Sequence, residues 1–183
     1  MKEKFYGIIG KPLSHSLSPD LHNYWFKKYK IPANYSLIEI ESNEIEKVIE
    51  KIRKKKLHGI NITVPYKQLV IPFLDLIVDD AKETLSVNTI SLNEEGKVVG
   101  NNTDVHGLEY GFLNKLNNQN PELNKVLILG AGGVAPSVVQ ALLKKGIKKI
   151  FISNRTYQKA ENIKKKHPFI EIVEWENIEL KAE

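Results

Sequence analysis

From Val126 onwards the chain alternates strand and helix with a regularity that leaves few folds open. Val126 to Leu129 reads as an apolar strand, Val134 to Lys145 as a helix, Lys149 to Ser153 as a strand, Thr156 to Lys166 as a helix and Ile170 to Val173 as a strand. Such an alternation predicts a parallel sheet with helices on its faces, one mononucleotide-binding half of a doubly wound domain. The first strand passes without a gap into Gly130-Ala131-Gly132-Gly133-Val134-Ala135, which opens the first helix. Strand, loop and helix together satisfy the context of a dinucleotide-binding glycine fingerprint. Gly130 permits the tight turn, Gly132 lets the backbone approach a pyrophosphate, and the small Ala135 allows the helix to pack closely on the strand. Ala131, Gly133 and Val134 complete a loop whose free amides favour phosphate.

The end of the second strand of this unit selects the nucleotide. A carboxylate there would bond a ribose 2'-hydroxyl, but the chain carries Ser153-Asn154-Arg155-Thr156. Arg155 can neutralise a 2'-phosphate, and Thr156 can add a hydroxyl and an amide, so NADP is predicted over NAD. The plainer alternative is a surface arginine beside an N-capping threonine.

The first hundred residues have a different texture. Phe5 to Ile9 is a short strand, and Ser18, Pro19 and Asp20 carry the signature of a helix start, with Ser18 as N-cap. That helix is expected to reach about Lys30 with Leu21, Trp25 and Tyr29 on one face. Asn34 to Ile40 alternates as a strand. Ser42 to Lys56 is a helix buried through Ile45, Val48, Ile49 and Ile52, and His58 to Val64 is a third strand. A short helix near Asp80 to Leu85 precedes two strands, Ser86 to Leu92 and Lys97 to Gly100, joined by the turn Asn93-Glu94-Glu95-Gly96. Thr103 to about Leu116 is expected as a helix with Leu108, Phe112 and Leu116 in register, ahead of a polar connection from Asn117 to Pro121.

Composition narrows the function classes. With 183 residues, 42% hydrophobic, the chain can bury a real core, and no apolar run approaches the length of a membrane span. The absence of cysteine excludes disulfides and thiolate chemistry. No signal-like segment is read at the start, so a cytoplasmic location is expected. The net charge of +5 comes from lysines such as Lys54 to Lys56 and Lys164 to Lys166. Without interleaved aromatics these read as solvated helix faces, so neither a nucleic-acid nor a membrane partner is expected.

Four polar clusters lie at strand ends or loops of the first half. They are Ser16 with Ser18; Asn61, Thr63 and Lys67; Asn88; and Asn101 to Asp104. Hydroxyls, amides, one lysine and one carboxylate suit a small polyhydroxylated acid. Here the chain closely resembles the shikimate dehydrogenases. The matching stretches are Ser16-Leu17-Ser18-Pro19, Asn61-Ile62-Thr63-Val64-Pro65-Tyr66-Lys67, Val87-Asn88-Thr89, Gly100-Asn101-Asn102-Thr103-Asp104, Gly130 to Ala135 and Asn154-Arg155-Thr156, in the family's order over nearly the whole chain.

The resemblance implies an α/β fold with a substrate-binding domain at 1–102, a connecting helix and linker at 103–120, and an incomplete Rossmann-type NADP-binding domain at 121–183. It implies reversible reduction of 3-dehydroshikimate by NADPH to shikimate, a step of aromatic amino-acid biosynthesis. In that scheme Ser16 and Ser18 hold the substrate carboxylate, and Asn61, Thr63, Asn88 and Asp104 bind ring hydroxyls. Lys67 and Asp104 form the catalytic pair, while Asp79 aligns with a position near the cofactor. No metal ligand set is implied. The family continues with the rest of the nucleotide-binding sheet and a segment that contacts nicotinamide, so this sequence is expected to be a fragment or a shortened member. The alternatives are a shikimate- or quinate-binding module without turnover, and a quinate/shikimate dehydrogenase. Oligomeric state is not legible.

Overall fold

The computed structural model describes residues 3–119 and 124–175. They form two compact units, Met1–Thr103 and Asp104–Glu183, each with its own sheet and core. The first contains strands β1 (Lys4–Gly10), β2 (Ala33–Glu39), β3 (Gly59–Ile62), β4 (Leu76–Ile77), β5 (Thr89–Leu92) and β6 (Val98–Asn101), in the order β2-β1-β3-β5-β6-β4. Strand β1 is parallel to β2 and β3, β5 is antiparallel to β3 and β6, and β4 is parallel to β6. Helices α1 (Ser18–Lys28), α2 (Ile45–Arg53) and α3 (Asp80–Thr84) complete the unit. Successive side chains of β1 face opposite ways. Ile9 enters the main core with Ile45, Val48, Ile49 and Ile52 of α2, whereas Ile8 joins Leu13, Tyr35 and Phe26 on the α1 side.

The expected stripe of α2 and the hairpin between β5 and β6 are both present. Strand β4 was not legible, since two residues are too few to display a period. Helix α1 departs further from expectation. Leu17 occupies its N-cap position and no side chain caps it, so Ser18 is the first helical residue and not the cap. The helix stops at Lys28, and Leu21, Trp25 and Tyr29 are all exposed. Its inward contacts come from His22, Asn23 and Phe26 instead. The His22 ring stacks on Tyr35 with centroids 4.2 Å apart, and Phe26 packs against Tyr6. Asn23 Nδ2 donates to Tyr35 O at 2.8 Å and Tyr35 N donates to Asn23 Oδ1 at 2.9 Å. Because β2 is an edge strand, Asn23 serves Tyr35 as a neighbouring strand would. An apolar periodicity therefore pointed to the wrong face.

In the second unit, α4 (Asp104–Leu108), a π-helical turn (Glu109–Leu113) and α5 (Asn114–Gln119) precede β7 (Lys125–Leu129), α6 (Ala135–Lys144), β8 (Lys149–Ser153), α7 (Tyr157–Lys166) and β9 (Glu171–Ile172). The sheet order is β7-β8-β9 and both pairs are parallel, as the strand-helix alternation requires. Val105 and Leu113 are buried in the same core as Val139, Leu142 and Ile150, so the helix expected as a connection is packed within this unit. The π turn also shifts its register. Phe112, expected in the buried row, is 53% exposed, and Leu113 is 3% exposed. Of the expected polar connection, Asn117 to Gln119 continue α5, while Asn120 and Pro121 lie outside the described residues. Among the described residues no helix is long and apolar enough to cross a membrane.

Candidate functional site

Parallel pairing brings the carboxyl ends of β1, β2 and β3 to one edge of the first sheet, where β5 begins and β6 ends. Ligands of α/β sheets bind outside that edge. The topology delivers Ser16 and Ser18 after β1, Thr63 and Lys67 after β3, Asn88 before β5, and Asn102 and Thr103 after β6. The loops after β1 and β3 are tied directly: Thr63 N donates to Ile9 O at 2.9 Å and Lys11 N to Val64 O at 3.1 Å.

Gly10 is what lets these loops touch. A Cβ at that position would lie 2.4 Å from Thr63 Cγ2, 2.8 Å from Leu13 Cδ2 and 3.1 Å from Val64 O. Thr63 is stiff about χ1 and Val64 O belongs to the backbone, so the Thr63 loop must move. Gly10→Ala is expected to destabilise the first unit by about 1–3 kcal/mol. Urea unfolding checks this, and an unchanged midpoint would show that the loops are not in contact.

Lys67 is only 8% exposed, unlike the solvated lysines of the helix surfaces, and its carbonyl accepts Val87 N at 2.8 Å. Asn88 is buried to the same degree. Around Asn88 runs a continuous set of hydrogen bonds. Tyr35 Oη donates to Asn61 Oδ1 at 2.7 Å, and Asn61 Nδ2 donates to Asn88 O at 3.3 Å and Thr89 Oγ1 at 3.2 Å. Thr89 Oγ1 donates to Asn88 Oδ1 at 3.0 Å, and Thr103 N donates to the same oxygen at 2.9 Å. Asn88 Nδ2 meets Thr103 Oγ1 at 3.0 Å. Both Nδ2 contacts of Asn61, a residue expected as a hydroxyl ligand, are thus with protein acceptors, one of them the Asn88 carbonyl. Asn102 is a brace, with Nδ2 donating to Thr84 Oγ1 at 3.0 Å and Ser86 O at 2.9 Å.

Tyr35 and Thr89 were missed as participants because each fits a strand period without further explanation. The one usable signal was that a buried tyrosine hydroxyl requires a partner. Burial pushes the Tyr35 phenol up to about 12, so it stays a donor throughout the neutral range. Tyr66 is buried too, but its hydroxyl donates to Ile40 O at 2.5 Å and its ring belongs to the main core. Ser16 and Ser18 are paired, Oγ to Oγ at 3.2 Å, and both are partly exposed at the start of α1. Asp104 opens α4 as the first residue of the second unit. Asp79 lies in the first unit, exposed at the start of α3, with φ of 47°. A non-glycine residue held there costs about 1–3 kcal/mol, which is tolerated where the surroundings or a function demand it.

In the second unit the glycine loop has the form its sequence implies. Gly130 takes φ of +108°, which glycine alone adopts cheaply, and its N–H donates to Ser153 O at 2.8 Å. Gly132, Gly133 and Val134 are exposed at the tip, and nothing described lies within 4 Å of a Cβ placed on Gly132. A backbone so open at a helix start fits a pyrophosphate. Asn154 holds this loop to the next turn: its Oδ1 accepts Ala131 N at 2.9 Å and its Nδ2 donates to Thr156 O at 2.7 Å. Thr156 is the N-cap residue of α7, yet its hydroxyl makes no capping bond, and Arg155 beside it is exposed. A hydroxyl and a guanidinium therefore stand available at the end of β8.

Residues 8–90 match the shikimate dehydrogenase substrate binding domain, and residues 113–182 match the shikimate / quinate 5-dehydrogenase family. The chain is 50% identical over 175 residues to the shikimate dehydrogenase (NADP(+)) of Pelagibacter ubique, covering 96% of this chain and 64% of that one. Among solved structures, the shikimate dehydrogenase of Aquifex aeolicus is 41% identical with a TM-score of 0.79, over 93% of this chain and 62% of the other. The Thermus thermophilus shikimate 5-dehydrogenase, solved in complex with NADP(H) and shikimate, is 26% identical with a TM-score of 0.76, over 93% and 62%. The chain thus spans about three-fifths of the length of these relatives.

Proposed function

Because the chain belongs to the shikimate dehydrogenase family, we propose that it supplies the substrate site and part of the cofactor site for reversible NADPH-dependent reduction of 3-dehydroshikimate to shikimate. The observation that carries this reading is the burial of Lys67 at the strand-end edge, close to the hydrogen-bonded Asn88. A buried lysine next to such a cluster has work beyond solubility.

Ser16 and Ser18 bind the substrate carboxylate through their hydroxyls, and Asn61, Thr63, Asn88 and Asp104 bind ring hydroxyls, with Asn61 also supporting Asn88. Lys67, with Asp104 as its catalytic partner, holds the proton that the substrate oxygen gains on reduction and loses on oxidation. NADP, when bound, supplies or accepts the hydride. The loop from Gly130 to Ala135 would hold its pyrophosphate, Arg155 and Thr156 its 2'-phosphate, and Asn154 would keep those two segments in register. Asp79, which aligns with a family position near the cofactor, is assigned to cofactor binding. The proposal includes the cytoplasmic location and the lack of nucleic-acid partners expected from composition.

Arg155→Ala is expected to lower the preference for NADP over NAD by about tenfold, the worth of one charge-assisted contact. Cofactor binding isotherms measure it, and an undiminished preference would remove Arg155 from the site.

The test of the whole reading is an NADP-linked absorbance assay with shikimate and with quinate. It is run on this chain and on the longest reading frame that contains it. Shikimate-dependent reduction of NADP is expected. Equal rates with quinate would select the quinate/shikimate alternative, and no rate in either protein with either substrate would refute the proposal.

A further inference from the structure

We propose that Tyr35 is a positioning residue that sets the orientation of the Asn88 side-chain amide, acting through Asn61 and Thr89. The inference deepens the proposed function, because Asn88 is there a ligand of a ring hydroxyl. Tyr35 and Asn61 stand on β2 and β3, with β1 between them, so the phenol spans a strand to reach its acceptor. Its own position is fixed from two sides. His22 stacks on the ring at 4.2 Å and 7°, and Asn23 clamps both backbone groups of Tyr35.

An amide has one accepting end and one donating end, so a donor at either end decides which way it faces. Tyr35 Oη donates to Asn61 Oδ1, which turns Asn61 Nδ2 towards β5, where it meets Asn88 O and Thr89 Oγ1. Thr89, having accepted that hydrogen bond, directs its own O–H to Asn88 Oδ1. Thr103 approaches the same oxygen with its N–H at 2.9 Å and its Oγ1 at 3.2 Å, and Asn88 Nδ2 faces Thr103 Oγ1 at 3.0 Å.

Without the Tyr35 hydroxyl, the Asn61 amide can reverse. Its Oδ1 would then compete for the Thr89 proton and face the Asn88 carbonyl, an acceptor against an acceptor. The Thr89 contribution at the Asn88 oxygen would weaken, with Thr103 N–H and Oγ1 still beside it. The expected consequence is partial loss of orientation at Asn88, with the strand and its core intact.

Side-chain amide signals from 15N-labelled protein provide the test, with Asn61 and Asn88 assigned by Asn61→Asp and Asn88→Asp. Tyr35→Phe is expected to shift both amides, and Thr89→Val to shift that of Asn88. Adding Tyr35→Phe to Thr89→Val should move the Asn88 signal by less than Tyr35→Phe does alone, since only the contact of Asn61 with the Asn88 carbonyl then links them. Shikimate affinity is expected to fall about tenfold in each single variant and no further in the double variant, the loss appropriate to one hydrogen bond in a connected set. An Asn88 signal that ignores Tyr35→Phe overturns the inference, as do independent, additive effects of the two substitutions on that signal. If the unaltered protein binds no shikimate, the proposed function fails while the Asn88 signal still decides the role of Tyr35.

Discussion

In the proposed reaction, Lys67→Ala is expected to lower kcat for shikimate oxidation by about a hundred- to ten-thousand-fold while leaving KM roughly unchanged, the range for removal of a general acid-base. The loop itself should survive the substitution. The carbonyl at residue 67 accepts Val87 N, and alanine keeps that carbonyl. Substrate binding is assigned mainly to hydroxyls and amides of Ser16, Ser18, Asn61, Thr63 and Asn88, so truncating the lysine removes a proton carrier more than a binding surface. Lys67→Arg separates charge from proton transfer. Arginine retains the cation but does not release its proton in the physiological range, so that variant should be nearly as slow as alanine. Near-normal turnover in Lys67→Ala, measured by NADPH absorbance, would remove Lys67 from the chemistry. A rise in KM with kcat intact would recast it as a binding residue.

The second large effect concerns stability. Leu113→Ala is expected to cost about 2–5 kcal/mol, because the side chain is almost fully buried and its loss leaves a cavity beside α6. Phe112→Ala, although it removes more atoms, should change stability by less than about 1 kcal/mol, since that ring is largely exposed. An uninterrupted α-helix carrying Leu108, Phe112 and Leu116 on its inner face reverses the order. Chemical denaturation of the two variants therefore reads the register of this helix directly. Equal costs at the two positions would remove the π turn between Glu109 and Leu113.

That turn marks where periodicity ceases to inform. A π segment rotates everything beyond it relative to a 3.6-residue repeat, and nothing in Glu109-Tyr110-Gly111-Phe112-Leu113 announces it. Helix α1 misled for a different reason. Its apolar residues are spaced as a face, but the sheet edge beneath offered Tyr35 two unpaired backbone groups, and an asparagine satisfied them better than any leucine could. Ser18 resembled a cap because Pro19 and Asp20 follow it, yet the helix begins one residue earlier than that signature suggests.

What the sequence by itself determined is the local grammar: the strand-helix alternation after Val126, the positive-φ turn at Gly130, the buried stripe of α2 and the order of the motifs that mark the family. Each of these depends on residues adjacent along the chain, where propensity and spacing act directly. The tertiary structure decided how the polar groups are shared. Tyr35, Asn61 and Thr89 come from three strands, with Asn88 just ahead of the third, and they are joined by sheet order and register, so the pairing of these polar groups is a property of the assembled edge. Hydrogen bonds between distant segments are directional and saturable, and a linear sequence does not specify how their donors and acceptors are allotted.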